Sequence, residues 1–155
     1  MWRQYGDEFL SGEMSNASRY LRFKPTEDEK VLKALRTWLI LYNPPNFTNL
    51  TCKLYSDRDG LPGALIATST TSYNKDQLLL IEDYGTKGIP FTFDPVISLS
   101  PLVYYHFVLN CTGYTYDYNA HLSWRKAWPD PVYGNATFAG LLRSTYMAAI
   151  IGADL

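Results

Sequence analysis

Leu102-Val103-Tyr104-Tyr105-His106-Phe107-Val108-Leu109-Asn110-Cys111 is the stretch on which the fold turns. Val103, Tyr105, Phe107, Leu109 and Cys111 make one row, and Tyr104, His106, Val108 and Asn110 the other. A repeat of two puts each row on its own face of a strand. Aromatic and β-branched side chains fit such a half-buried, pleated surface. The segment predicts a long β-strand with its core face on the Phe107 row.

Shorter runs of the same kind lie on either side. Ile89, Phe91 and Phe93 share a face with Pro90 and Thr92 opposite, and Leu50-Thr51-Cys52-Lys53-Leu54-Tyr55 alternates. Between them, Ser56 to Gly63 reads as a turn around Asp59-Gly60, a strong hairpin cue. Leu65 to Thr71 and Leu78 to Glu82 read as further short apolar runs. Upstream, Tyr20 to Lys24 is stopped by Pro25, and Thr26 to Lys30 is a polar turn. Downstream come Ala120 to Trp124, Thr137 to Leu142 and Tyr146 to Ile151.

One run stays open between two readings. Val31, Leu35, Trp38, Leu39 and Tyr42 have helical spacing, whereas Trp38 to Leu41 is continuously apolar, as in a buried strand. Asn43-Pro44-Pro45-Asn46 ends it, because proline restricts both itself and the residue before it. Residues 1–16 show no sustained period. The expected organisation is an extended N-terminal arm, 1–16, and a single all-β sandwich domain, 17–155.

Composition narrows the function. At 155 residues the chain suits one domain that buries roughly 70% of its unfolded surface. Lys plus Arg number 14 and Asp plus Glu 15, for a net charge of -1. That balance argues against nucleic acid as a partner, which needs clustered cations, and against a polybasic membrane patch. No segment reaches the ~20 apolar residues of a membrane helix, and Met1 to Glu8 contains no apolar leader core. Without export, the five Asn-x-Ser/Thr sequons, at Asn16, Asn46, Asn49, Asn110 and Asn135, read as strand and turn content. The 13 Tyr, 7 Phe and 4 Trp point to strands and contact surfaces. Cys52 and Cys111 lie in phase with the apolar faces of their strands and could face one another across the core, read as two buried free thiols.

The succession Leu54-Tyr55-Ser56-Asp57, Gly60-Leu61-Pro62-Gly63, an Ile-Ala-Thr-Ser stretch, Phe91-Thr92-Phe93, then Leu99-Ser100-Pro101 leading to Tyr104-Tyr105-His106-Phe107-Val108-Leu109, resembles jelly-roll modules. Such modules occur in bacteriophage virion proteins, as capsid decoration, head-fibre, tail or baseplate appendages, and in carbohydrate-binding modules. The resemblance covers about residues 20–125. The sequence departs from it at Pro101-Leu102, where a Gly-bearing turn is more usual. The resemblance implies a jelly-roll sandwich, a non-enzymatic structural and adhesive role in a phage particle, residence in the virion after synthesis in the host cytoplasm, and no cofactor. Its expected partners are other virion proteins of capsid or tail and further copies of itself, a trimer being one form that suits the class.

Chemistry-bearing residues are sparse. Asp57-Arg58-Asp59-Gly60 has the opening of a calcium loop but lacks the later ligands, Leu65 among them, so it reads as an Asp-Gly hairpin turn and no metal is expected. His106 and His121 are the only histidines. His106 falls on the row opposite the core and reads as a surface or edge residue; catalysis would require one of the two to meet a carboxylate in a pocket. Four of the five glutamates lie in the arm or a turn, which disfavours paired-carboxylate hydrolysis.

Two aromatic groups are the candidate contacts. Trp2, Tyr5 and Phe9 in the arm are candidate assembly anchors. Tyr114, Tyr116 and Tyr118 alternate and share one face if extended, with Trp124, Trp128 and Tyr133 following. Together these six form a candidate aromatic binding surface: a protein contact rich in interface-favouring rings, a platform for a glycan, or a sheet face with Trp124 in the core.

Overall fold

The computed structural model describes residues 2–3, 8–9, 21–25, 27, 30–37, 39–81, 88–115, 117, 119–124, 126–127, 137–138, 141–142, 145–146 and 148–151, and in the strands before residue 20 and beyond Leu122 the backbone pairing alone. The strands are β1 (Trp2–Arg3), β2 (Glu8–Phe9), β3 (Leu21–Phe23), β4 (Val31–Thr37), β5 (Leu39–Tyr42), β6 (Asn49–Arg58), β7 (Leu61–Thr68), β8 (Ile89–Ser98), β9 (Tyr105–Thr112), β10 (His121–Trp124), β11 (Lys126–Ala127), β12 (Thr137–Phe138), β13 (Leu141–Leu142), β14 (Thr145–Tyr146) and β15 (Ala148–Ile151). One short helix, α1 (Lys75–Leu79), joins them. The protein is all-β, with every strand pairing antiparallel.

Two four-stranded sheets carry the body, ordered β1-β15-β4-β8 and β3-β9-β6-β7, beside a three-stranded sheet β2-β10-β5 and the pairs β11-β14 and β12-β13. Between them lies a single apolar core. Phe107 stacks on Phe23 at 4.5 Å between centroids and meets Phe93 of the facing sheet at 6.4 Å. Leu35, Leu50, Leu54, Phe91 and Leu109 are fully buried around them. The chain crosses between the layers after β7, where the Thr70 N–H donates to the Thr92 carbonyl (2.8 Å) and the Thr71 and Thr92 hydroxyls meet.

The open run at residues 31–42 is strand, β4 and β5, on either side of Trp38. Burial along β4 does not alternate strictly, because Leu32, Ala34, Leu35 and Thr37 are all buried, and the β4–β8 register shifts between Leu32 and Ala34, where a step of two residues in β4 faces a step of five in β8, from Ile97 to Thr92. Beyond Trp38 the chain leaves β8 and pairs with β10 instead.

Two other expectations are corrected. Of the run Leu78 to Glu82, the described residues 78–81 are not strand; Leu78 and Leu79 end α1, opened by a reciprocal capping box in which Asn74 Oδ1 accepts from the Gln77 N–H and Gln77 Oε1 from the Asn74 N–H. Ser56 to Gly63 is mostly strand, because the reversal needs only Asp59 (φ 54°) and Gly60 (φ 85°). Positive φ at both central residues is the type I′ geometry that matches strand twist. The two thiols do not face each other across the core. They lie diagonally on one sheet, since Cys52 pairs with Leu109 and Leu50 with Cys111. Both are free and buried, and burial pushes their pKa values up, Cys111 to about 12.

Candidate functional site

The outward face of sheet β3-β9-β6-β7 carries the one concentrated set of interacting charges among the described residues. Register builds it: Arg22 of β3 pairs with His106 of β9, and His106 with Tyr55 of β6, which puts Asp57 two residues on along the same face. The Asp57 carboxylate is shared three ways. Its Oδ1 accepts from Arg22 Nε at 2.8 Å and from His106 Nε2 at 2.7 Å, and its Oδ2 from the Gly60 N–H of the turn at 3.3 Å.

Arg22 beside it is the main reason the Asp57 pKa falls to about 2; His106 and the Gly60 amide act in the same direction. An ionised Asp57 fixes the imidazole tautomer, because only an Nε2–H can donate to it. Burial lowers the pKa of His106, against the pull of Asp57. The imidazole is therefore neutral at pH 7 and the pair is charged at Asp57 and Arg22 alone. Above it, the Arg22 guanidinium lies 3.7 Å from the centre of the Tyr104 ring, and Lys24 Nζ 5.1 Å, within reach of cation–π attraction.

His106 is thus not a surface or edge residue. It is fully buried, because β9 is a central strand flanked by β3 and β6 and Arg22 and Asp57 close over its outer row. His106 meets the Asp57 carboxylate, and His121 stacks on exposed Tyr42 at 5.1 Å. The arrangement of Asp57, Arg22 and His106 is a clamp. A carboxylate with so low a pKa is a weak base. Asp57 also braces the Asp59-Gly60 turn, accepting from the Gly60 N–H. No group of three or more His, Cys, Asp or Glu among the described residues is disposed to hold a metal ion.

The aromatic candidates divide. Tyr114 is buried, and its hydroxyl accepts from the Leu122 N–H at 3.2 Å, so it packs against the core instead of lining an exposed platform. A tyrosine beside the start of a strand satisfies a buried amide in this way. Trp124 stands in β10, in register with Leu39 and Glu8. Tyr116, Tyr118, Trp128 and Tyr133 lie outside the described residues, as does Tyr5. The arm's Trp2 pairs with Ala149 and its Phe9 with Ser123.

Sequence reading missed the clamp because Arg22, Asp57 and His106 are 35 and 49 residues apart. The available signal was the register itself: His106 on the same outward row as the turn's acid. Comparison with protein-family models, curated proteins and solved structures finds no match.

Proposed function

We propose that this chain is a non-enzymatic structural and adhesive component of a bacteriophage particle, a jelly-roll module that docks on a symmetric virion assembly as a decoration, head-fibre or tail appendage protein. The observation that carries this reading is where the chemistry goes. His106 and Asp57, the imidazole–acid pair that catalysis would need, are spent on each other and on Arg22, whereas large apolar side chains such as Leu80 and Leu102 are left exposed. Such side chains suit contacts. The crossing of the chain between two antiparallel sheets supports the jelly-roll form, and the resemblance of residues 20–125 to phage modules supports the setting.

The test is co-sedimentation. Tagged full-length chain, mixed with purified candidate capsids and tails on a density gradient, is expected to migrate with one class of particle. A chain that stays at the top of every gradient overturns the reading. Retention on a glycan array that is abolished by Tyr116→Ala, without particle association, establishes the carbohydrate-binding alternative in its place.

A further inference from the structure

The β5–β10 ladder presents an open aromatic ring on its outward face. His121 pairs with Tyr42 and Leu122 with Leu41, so the two rings share one face and the two leucines the other. Leu41 and Leu122 are buried, and the Tyr114 hydroxyl takes the Leu122 N–H, which fixes the ladder from behind. In front, the His121 imidazole stacks on Tyr42 at 5.1 Å between centroids and 20° between planes. That contact covers one side of the phenol, yet Tyr42 remains 52% exposed. Among the described residues its side chain makes no other ring contact and no hydrogen bond.

Three planar polar groups gather beside this stack. Asn43 follows Tyr42 at φ 41°, a region that asparagine tolerates, and its Nδ2 donates to the Asn119 carbonyl at 2.8 Å. The Asn119 N–H in turn donates to Asp117 Oδ1 at 2.8 Å, and Asp117 bridges to Ala120, the neighbour of His121. Pro45, two residues beyond Asn43, is buried and anchors the loop. Asn43, Asp117 and Asn119 are all exposed. Asn43 Oδ1, Asp117 Oδ2 and the Asn119 side-chain amide make no hydrogen bond among the described residues.

An open ring framed by amides and a carboxylate suits a ligand with a flat C–H face and a hydroxyl edge. A pyranose has both. Its hydroxyls donate and accept, so an amide oxygen, an amide NH2 and a carboxylate oxygen each find a partner. Asp117 is the one charged group of the set, which disfavours a phosphate or sulfate ligand. A single ring also falls short of the clustered anchors of a protein hot spot. We propose that Tyr42, with Asn43, Asp117 and Asn119, binds a neutral saccharide: one sugar ring stacks on the phenol face away from His121, and its hydroxyls meet the three polar groups. The bonds that already hold the Asn43 side chain and the turn backbone at Asn119 lower the ordering cost of binding. This site stands whether or not the chain docks on a particle.

Affinity electrophoresis of the full chain through gels containing dextran, mannan, galactan or xylan tests it, with calorimetric titration of oligosaccharides from any polymer that retards the chain. Wild type is expected to be retarded by at least one. Tyr42→Ala should weaken binding on the order of tenfold, the worth of one stacked ring. Tyr42→Phe keeps the ring and should bind as wild type does. Asp117→Asn keeps the acceptor for the Asn119 N–H but not the carboxylate, and should bind about threefold to tenfold more weakly. A chain retarded by none of the polymers overturns the site, as does undiminished binding by Tyr42→Ala or Asp117→Asn. A loss in Tyr42→Phe equal to that in Tyr42→Ala overturns the stacking, and binding lost with Tyr116→Ala but kept with Tyr42→Ala puts the sugar elsewhere and overturns the site. Migration with particles without retardation overturns this inference and leaves the docking reading intact. Retardation that depends on Tyr42, with no particle association, supports the site and overturns the docking.

Discussion

On the inner side of sheet β3-β9-β6-β7, Phe23, Leu54, Phe107 and Leu109 are stripped of water within one apolar cluster. On the outer side the same strands contribute Arg22, Asp57 and His106, joined by bonds of 2.7 and 2.8 Å. Phe107 and His106 are neighbours in sequence, and both are fully buried. The first is held by area removed from water, which needs only bulk and a period of two. The second requires a directed bond to Asp57, itself held by Arg22 and the Gly60 N–H, because a buried polar group without a partner costs more than it contributes. Burial alone therefore does not say which physics holds a residue.

The inner face should dominate the stability. Phe107→Ala is expected to cost about 3–5 kcal/mol, since it opens a cavity between stacked rings that cannot collapse without moving two sheets. Urea denaturation reads it directly. A cost below that of disrupting the outer clamp would reverse the ranking of the two faces.

The clamp comes next. Asp57→Asn removes the carboxylate charge that faces Arg22 and His106 and should cost about 1–3 kcal/mol. Its pH signature is more specific than its size. A folded pKa of about 2 for Asp57 against about 3.9 unfolded gives stability that is complete above pH ~4 and lost as pH falls toward 2. His106, lowered by burial, takes up protons more readily unfolded, so stability also declines as pH drops below about 6.5 toward its depressed folded value. Asp57→Asn should abolish the lower decline. Urea midpoints measured from pH 7 to 2 check this, and equal slopes for wild type and variant in the acid window between pH 4 and 2 would remove the clamp's electrostatic role.

The same contrast explains what could be read from sequence. The all-β fold and the core row of β9 were legible because alternation is local: Tyr105, Phe107, Leu109 and Cys111 announce their face without reference to other strands. The β4 run was ambiguous because burial there does not keep a period of two: Leu32, Ala34, Leu35 and Thr37 are all buried, where β4 shifts register against β8. α1 was hidden behind the apolar Leu78–Ile81, although Asn74-x-x-Gln77 spelled out its cap. The clamp was least legible. The outward phase of His106 was correctly placed, but its burial depends on the order β3-β9-β6, and strand order leaves no local mark on a sequence.

The turn that presents Asp57 offers the smallest and most selective perturbation. Gly60 stands at φ 85° with no neighbouring atom in the way of an added Cβ, so Gly60→Ala introduces no clash and only the backbone cost of a side chain in the left-handed half of φ, about 1 kcal/mol. Gly60→Asn should cost less, because asparagine tolerates that region. If the clamp is independent of the turn, both variants keep the acid-window slope of wild type while their midpoints shift. If instead the Gly60 N–H on Asp57 Oδ2 is needed to aim the carboxylate, Gly60→Ala flattens that slope along with its loss of stability. The outer face would then be fixed by a two-residue turn in the way the inner face is fixed by packing, and the contrast between them would narrow to one hydrogen bond.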